Sequence, residues 1–201
     1  MTNRVDGMKT ISRSLWISAV VLLFTSVGAQ AHILSNDVHG FGSGFAHSLH
    51  GLDHILVMVA VGLWAAQLGG RARWLVPASF VGVMALGGAL AMAGLRVPFT
   101  EEGILLSVLA LGILIAVAAR FPLAGSMAIV GIFAFFHGHS HGTEMPANVV
   151  GYLYGTGFAL ATALLHASGI GLANAVHNAK LPVVRWAGAT IVMAGICLWA
   201  F

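Results

Sequence analysis

The chain has 201 residues, 59% hydrophobic and 7% charged, whereas soluble domains run near a quarter charged, so the composition is that of a polytopic membrane protein. Its net charge is +3, and its nine basic residues are scattered between apolar runs; no basic face forms, which excludes nucleic acid as a partner. The single cysteine, Cys197, excludes an internal disulfide and a thiolate metal cluster, and is expected to be a small buried apolar residue.

Residues 1–31 read as a cleaved signal peptide. Arg4, Lys9 and Arg13 form a basic start, Leu15 to Val27 an apolar stretch too short to span a ~30 Å hydrocarbon core, and Ala29-Gln30-Ala31 a small-x-small cleavage site. Residues 32–201 then form one domain of six transmembrane helices, an all-α bundle. After a Gly-rich segment, the apolar runs are Phe45–Leu68, Trp74–Leu95, Glu102–Ala119, Leu123–Gly142, Asn148–His177 and Val183–Phe201, each near the ~20 residues needed to span. Trp64, Trp74, Trp186 and Trp199 lie near run ends, where an interfacial aromatic belt places them. Gly138 and Gly142, and Gly151 and Gly155, are spaced for close helix approach.

The loop charges give an orientation. With His32 outside, Arg71, Arg73, Arg120, Lys180 and Arg185 fall inside, and Arg96 with Asp37, Glu101, Glu102 and Glu144 falls outside. That matches the positive-inside rule and predicts both termini in the periplasm, with the protein in a bacterial inner membrane.

Ten histidines stand out against this apolar background. Ionisable groups at membrane depth are expensive and mark pathways or sites. One group is His47, His50, Asp53 and His54 in A-H-S-L-H-G-L-D-H-I-L. On a continuous helix the three imidazoles lie within about 60° of one another, along a stripe of about 10 Å. Asp53 flanks His50, either as a ligand or as the group that orients an imidazole. The other group is His137, His139, His141 and Glu144 in F-F-H-G-H-S-H-G-T-E-M-P. There His137, His141 and Glu144 share a helix face while His139 points away. Counting 1.5 Å per residue puts His54 and His137 at one level, so the clusters are expected to meet in one outward-facing cavity. His166 sits alone and deep in L-L-H-A-S-G, either a packing residue or a ligand. His32, as a free N-terminus, offers an amine and an imidazole together, and His177 reads as interfacial.

Imidazole and carboxylate ligands suit nickel, cobalt, zinc and copper(II) alike. No phosphate-cradling loop is present, so passage of an ion is driven by potential, protons or another subunit. A divalent cation entering an inside-negative compartment gains about 4.6 kcal/mol per 100 mV. The alternative is an intramembrane zinc-dependent hydrolase built with Ser48, Ser140 or Ser168.

The stretch Gly44 to Trp74, the segment F-A-F-F-H-G-H-S-H-G-T-E-M-P and the segment A-T-A-L-L-H-A-S-G-I together resemble the HupE/UreJ family of bacterial nickel permeases and accessory membrane proteins. The resemblance covers essentially the whole chain after residue 31, with one departure at Ser48, where the family pattern leads one to expect proline. It implies six helices after a cleaved signal peptide, uptake of nickel across the inner membrane, and no enzymatic activity. It carries over His47, His50, Asp53, His54, His137, His141, Glu144 and His166 as metal residues. The expected partners are the metal ion and the lipid bilayer, with no further cofactor. A homo-oligomer and delivery of the ion to nickel-enzyme maturation proteins stay open.

Overall fold

The computed structural model describes residues 40–177 and 182–200. The expected signal peptide, His32, His39, Lys180 and Phe201 lie outside them. The regular structure among the described residues is all helical: α1 Phe41–His47, α2 Leu52–Leu68, α3 Ala72–Met92, α4 Thr100–Ala116, α5 Leu123–Thr143, α6 Gly151–Ala175 and α7 Val183–Ala200. By length and composition α3, α5, α6 and α7 can each cross a membrane, and α1 with α2 makes a fifth, broken span. α4 has 17 residues, about 26 Å, slightly less than the hydrocarbon core.

The first expected helix is two. α1 and α2 meet at 83° across a turn at residues 48–50, where Leu49 and His50 donate to the carbonyls three residues back. Gly51 is extended, φ −88° and ψ 121°, and its carbonyl accepts the first bond of α2 from Ile55. A Cβ at Gly51 would lie 2.7 Å from both Asp53 Oδ1 and His54 Nδ1. Glycine here lets that carboxylate and imidazole fold over the break.

α3 packs on α5, α4 on α7, and α6 on both α1 and α2. The glycines explain how closely. A Cβ at Gly138 would collide with the Met84 carbonyl, and one at Gly62 with the His166 carbonyl, so backbones touch at both places. Gly142 meets Gly88 in the same way, whereas nothing lies near Gly155; of the two glycine pairs predicted, only the first is a helix contact along its length. The interior holds Val57, Met58, Val61, Leu63, Trp64, Phe80, Val108, Leu111, Ile115 and Leu165. Fully burying a side chain of this size contributes about 1.5–3 kcal/mol against water, but lipid tails are as apolar as leucine, so close packing holds these helices together.

Two expectations are corrected. Trp64 is not part of the interfacial belt; it is fully buried and donates to the Ala119 carbonyl at 3.0 Å, tying α2 to the α4–α5 turn. Trp74, Trp186 and Trp199 are exposed. Cys197 is exposed rather than buried, because α7 packs chiefly on α4 and turns its other faces outward.

Candidate metal pathway

The histidines converge at one end of the bundle. His47, at the end of α1, donates from Nε2 to Glu144 Oε2 at 3.0 Å. Glu144 caps α5 and is held from the other side by the Ser140 hydroxyl, 2.9 Å from Oε1. His141 Nδ1 lies 3.6 Å from the same Oε2. One donor atom each from His47, His141 and Glu144 lie within 4.8 Å of one another. Nitrogen and oxygen ligands sit about 2.0–2.2 Å from such an ion, which sets neighbouring donors roughly 3 Å apart, so small side-chain shifts would close this trio on one cation. The hydrogen bond from His47 holds the Glu144 carboxyl below its ordinary pKa, against a smaller opposing effect of burial; the mouth therefore keeps its negative charge in mildly acidic solution.

Behind the mouth, imidazoles run inward in ring contact. The His141 centroid is 4.9 Å from His47 and 4.1 Å from His54, and His54 is 5.0 Å from His137. His54, His137, His141 and His166 are all buried. His54 donates from Nδ1 to Asp53 Oδ1 at 3.0 Å, His137 to the Phe133 carbonyl at 2.9 Å and His166 to the Met58 carbonyl at 2.7 Å. With Nδ1 carrying the proton, Nε2 of a neutral ring holds a lone pair. Nε2 of all three rings is shielded from solvent and has no hydrogen-bond partner. Leaving a buried polar atom unsatisfied costs about 1–3 kcal/mol. A ligating histidine has this arrangement: one nitrogen anchored, the other free. Phe80 separates the inner members, its ring 5.7 Å from His137 and 5.1 Å from His166.

The break at Gly51 changes the geometry expected of the first cluster. His47 and His54 are not the two ends of a straight stripe; the 83° bend sets both against His141. His50 leaves the cluster. It is exposed, and its Nδ1 donates to the Ala46 carbonyl at 2.6 Å. Asp53 flanks His54 rather than His50. His139 faces away from the other imidazoles, its Nε2 donating to the Leu95 carbonyl at 2.8 Å, where it pins the α3–α4 loop. Tyr154 was missed by sequence reasoning: its ring lies 5.9 Å from His47 and its buried hydroxyl has no partner. A tyrosine in an apolar helix, with Tyr152 two residues before it, carries no sequence signal of its own. The serines needed by a hydrolase are otherwise engaged, Ser140 with Glu144, Ser168 with the Leu165 carbonyl and Ser48 near Thr162.

Fold and site define a class: a multi-span helical membrane protein with a carboxylate-lined mouth that leads to buried, singly anchored imidazoles. The chain belongs to the HupE/UreJ family, since the family described as HupE / UreJ protein matches residues 20–198. It is 46% identical over 175 residues to Protein HupE of Rhizobium leguminosarum bv. viciae, covering 85% of this chain and 89% of that protein. The family is one of transport and accessory membrane proteins, not of enzymes. No solved structure matches the chain.

Proposed function

We propose that the protein is an uptake permease for a divalent first-row metal ion, nickel first, in a bacterial inner membrane. The observation that carries this reading is the row of buried imidazoles whose Nε2 atoms have no protein partner. Protein interiors satisfy their polar groups, so several unpaired lone pairs in one row are suited to a visiting cation.

In this reading the ion sheds water at His47, His141 and Glu144, with the carboxylate offsetting its charge. His54 and His137 offer the next lone pairs inward, and His166 one more beyond Phe80. No single level holds a complete cage, which favours passage over storage: an ion held by two or three ligands can leave for the next. Asp53 orients His54 and supplies negative charge beside it. His50 is left with no ligand role. His32, as the amino end after cleavage of residues 1–31, would add a ligand at the outer face. The positive-inside rule puts Arg71, Arg73, Arg120 and Arg185 in the cytoplasm, and α4 completes six spans.

The test is uptake of radiolabelled nickel by proteoliposomes holding the full chain, with cobalt, zinc and copper as competitors. The reading expects uptake above that of empty liposomes, reduced by excess unlabelled nickel. Uptake equal to that of empty liposomes under an inside-negative potential would overturn it.

A further inference from the structure

The opposite end of the bundle holds a polar cavity. Its volume is about 330 Å³, and its walls include Gln67, Arg73, Asn174, His177 and Arg185. Among the described residues, no aspartate or glutamate lines it. Among the described residues, no arginine lies within ion-pair distance of a carboxylate; the only ion pairs are those of histidines at the other end. Arg185 Nε is tied to the Ala116 carbonyl at 2.8 Å, which fixes that guanidinium at the wall. Arg73 Nε is buried without a hydrogen-bond partner, and so is Gln67 Oε1. The cavity thus presents an unfilled cationic donor and an unfilled acceptor together. Its level in the bilayer is marked by Trp74 and Trp186, which directly follow the two arginines and are 66% and 56% exposed, as interfacial anchors are.

We propose that this cavity binds the headgroup of an anionic phospholipid: the phosphate on Arg73 and Arg185, and a headgroup hydroxyl on Gln67 Oε1. A planar guanidinium fork suits phosphate oxygens, and basic pockets between membrane helices are suited to anionic headgroups. A hydroxyl donor would satisfy the Gln67 oxygen, which has no partner of its own. The site joins the ends of α2 and α6 to the starts of α3 and α7, so an occupied cavity clamps four helices at one end.

The experiment is native mass spectrometry of the full chain, delipidated in neutral detergent and offered equal phosphatidylglycerol and phosphatidylcholine. The proposal expects phosphatidylglycerol to be retained preferentially. Arg73→Gln should lower that preference at least about tenfold, the loss of one charge-assisted hydrogen bond. Arg120→Gln removes the same charge at the same end but outside the cavity, and should change it less than about twofold by the same scale. Asn174→Phe fills the cavity without touching charge and should also abolish the preference, which keeps the test alive if Arg73→Gln fails to fold. Equal losses from Arg73→Gln and Arg120→Gln would mean diffuse surface attraction and overturn the site. So would inorganic phosphate bound alone as tightly as the lipid, which would assign the cavity to a free anion. Retention of phosphatidylglycerol that is indifferent to all three variants would overturn it as well.

Discussion

The mouth and the interior of the histidine row use the same side chain under opposite conditions. At the mouth, Glu144 is 48% exposed and its carboxylate already accepts from His47 and Ser140. A few ångströms inward, His54, His137 and His166 are buried, each with one nitrogen anchored and the other left alone. The first region can select a dication by charge while water still screens it. The second can hold an ion only by lone pairs, because Asp53 is the one carboxylate beside it. A site meant for storage would place its charge where the ligands are most buried. Here the charge sits at the entrance, and the buried stretch is nearly neutral, as suits a route an ion must also leave.

The comparison is broken most severely by removing an interior ring. His54→Ala and His137→Ala should each reduce nickel uptake to the level of empty liposomes while the chain stays folded in the membrane, because each leaves a gap in a row only one ring wide. Uptake near that of the unaltered chain in either folded variant would show that the interior is packing alone. Asp53→Asn should preserve the fold and weaken metal affinity by about 10–100-fold, the usual cost of losing the group that orients a ligating imidazole. Equilibrium binding of nickel to the detergent-solubilised chain reads this directly.

Acid should act on imidazoles before it acts on the mouth carboxylate. A free imidazole titrates near 6.5 and must be neutral to ligate, so protons compete with the ion and affinity falls as the pH falls from 7 to 5. Glu144 is held below its ordinary pKa by the His47 hydrogen bond and stays charged across that window, so it contributes none of the loss. Affinity unchanged between pH 7 and 5 would argue against imidazole ligation. Glu144→Gln should cost about tenfold in affinity at pH 7 through the lost charge, and should leave the pH dependence in place. His50→Ala should be neutral within about twofold, since its ring is exposed and bonds back to the Ala46 carbonyl at the end of α1. A large loss there would mean that the break at Gly51 straightens when an ion binds.

Much of this was legible in the chain itself. Depth counted along two apolar runs was enough to set His54 and His137 at one level, and the Gly138 and Gly142 spacing does bring α5 against α3. The break between α1 and α2 was not legible. Ser-Leu-His-Gly is compatible with a helix, and its one signal, Gly51, matters because of Asp53 and His54 two and three residues on, a tertiary fit that no periodicity encodes. For the same reason His50 was grouped with residues it does not meet. Trp64 shows the matching ambiguity at the other end: a tryptophan near the end of a run reads as an interfacial anchor until its indole is found bonded inside the bundle.

The central claim is that the interior imidazoles carry the ion, and the most direct measurement is the initial rate of radiolabelled nickel uptake by proteoliposomes of the His54→Ala/His137→Ala double variant. The side-chain fold of that variant can be checked by its thermal transition in detergent. Because either loss already breaks the shared row, the two effects should not add, and the double variant should match each single variant and empty liposomes. Uptake by the folded double variant at the rate of the unaltered chain would contradict the account.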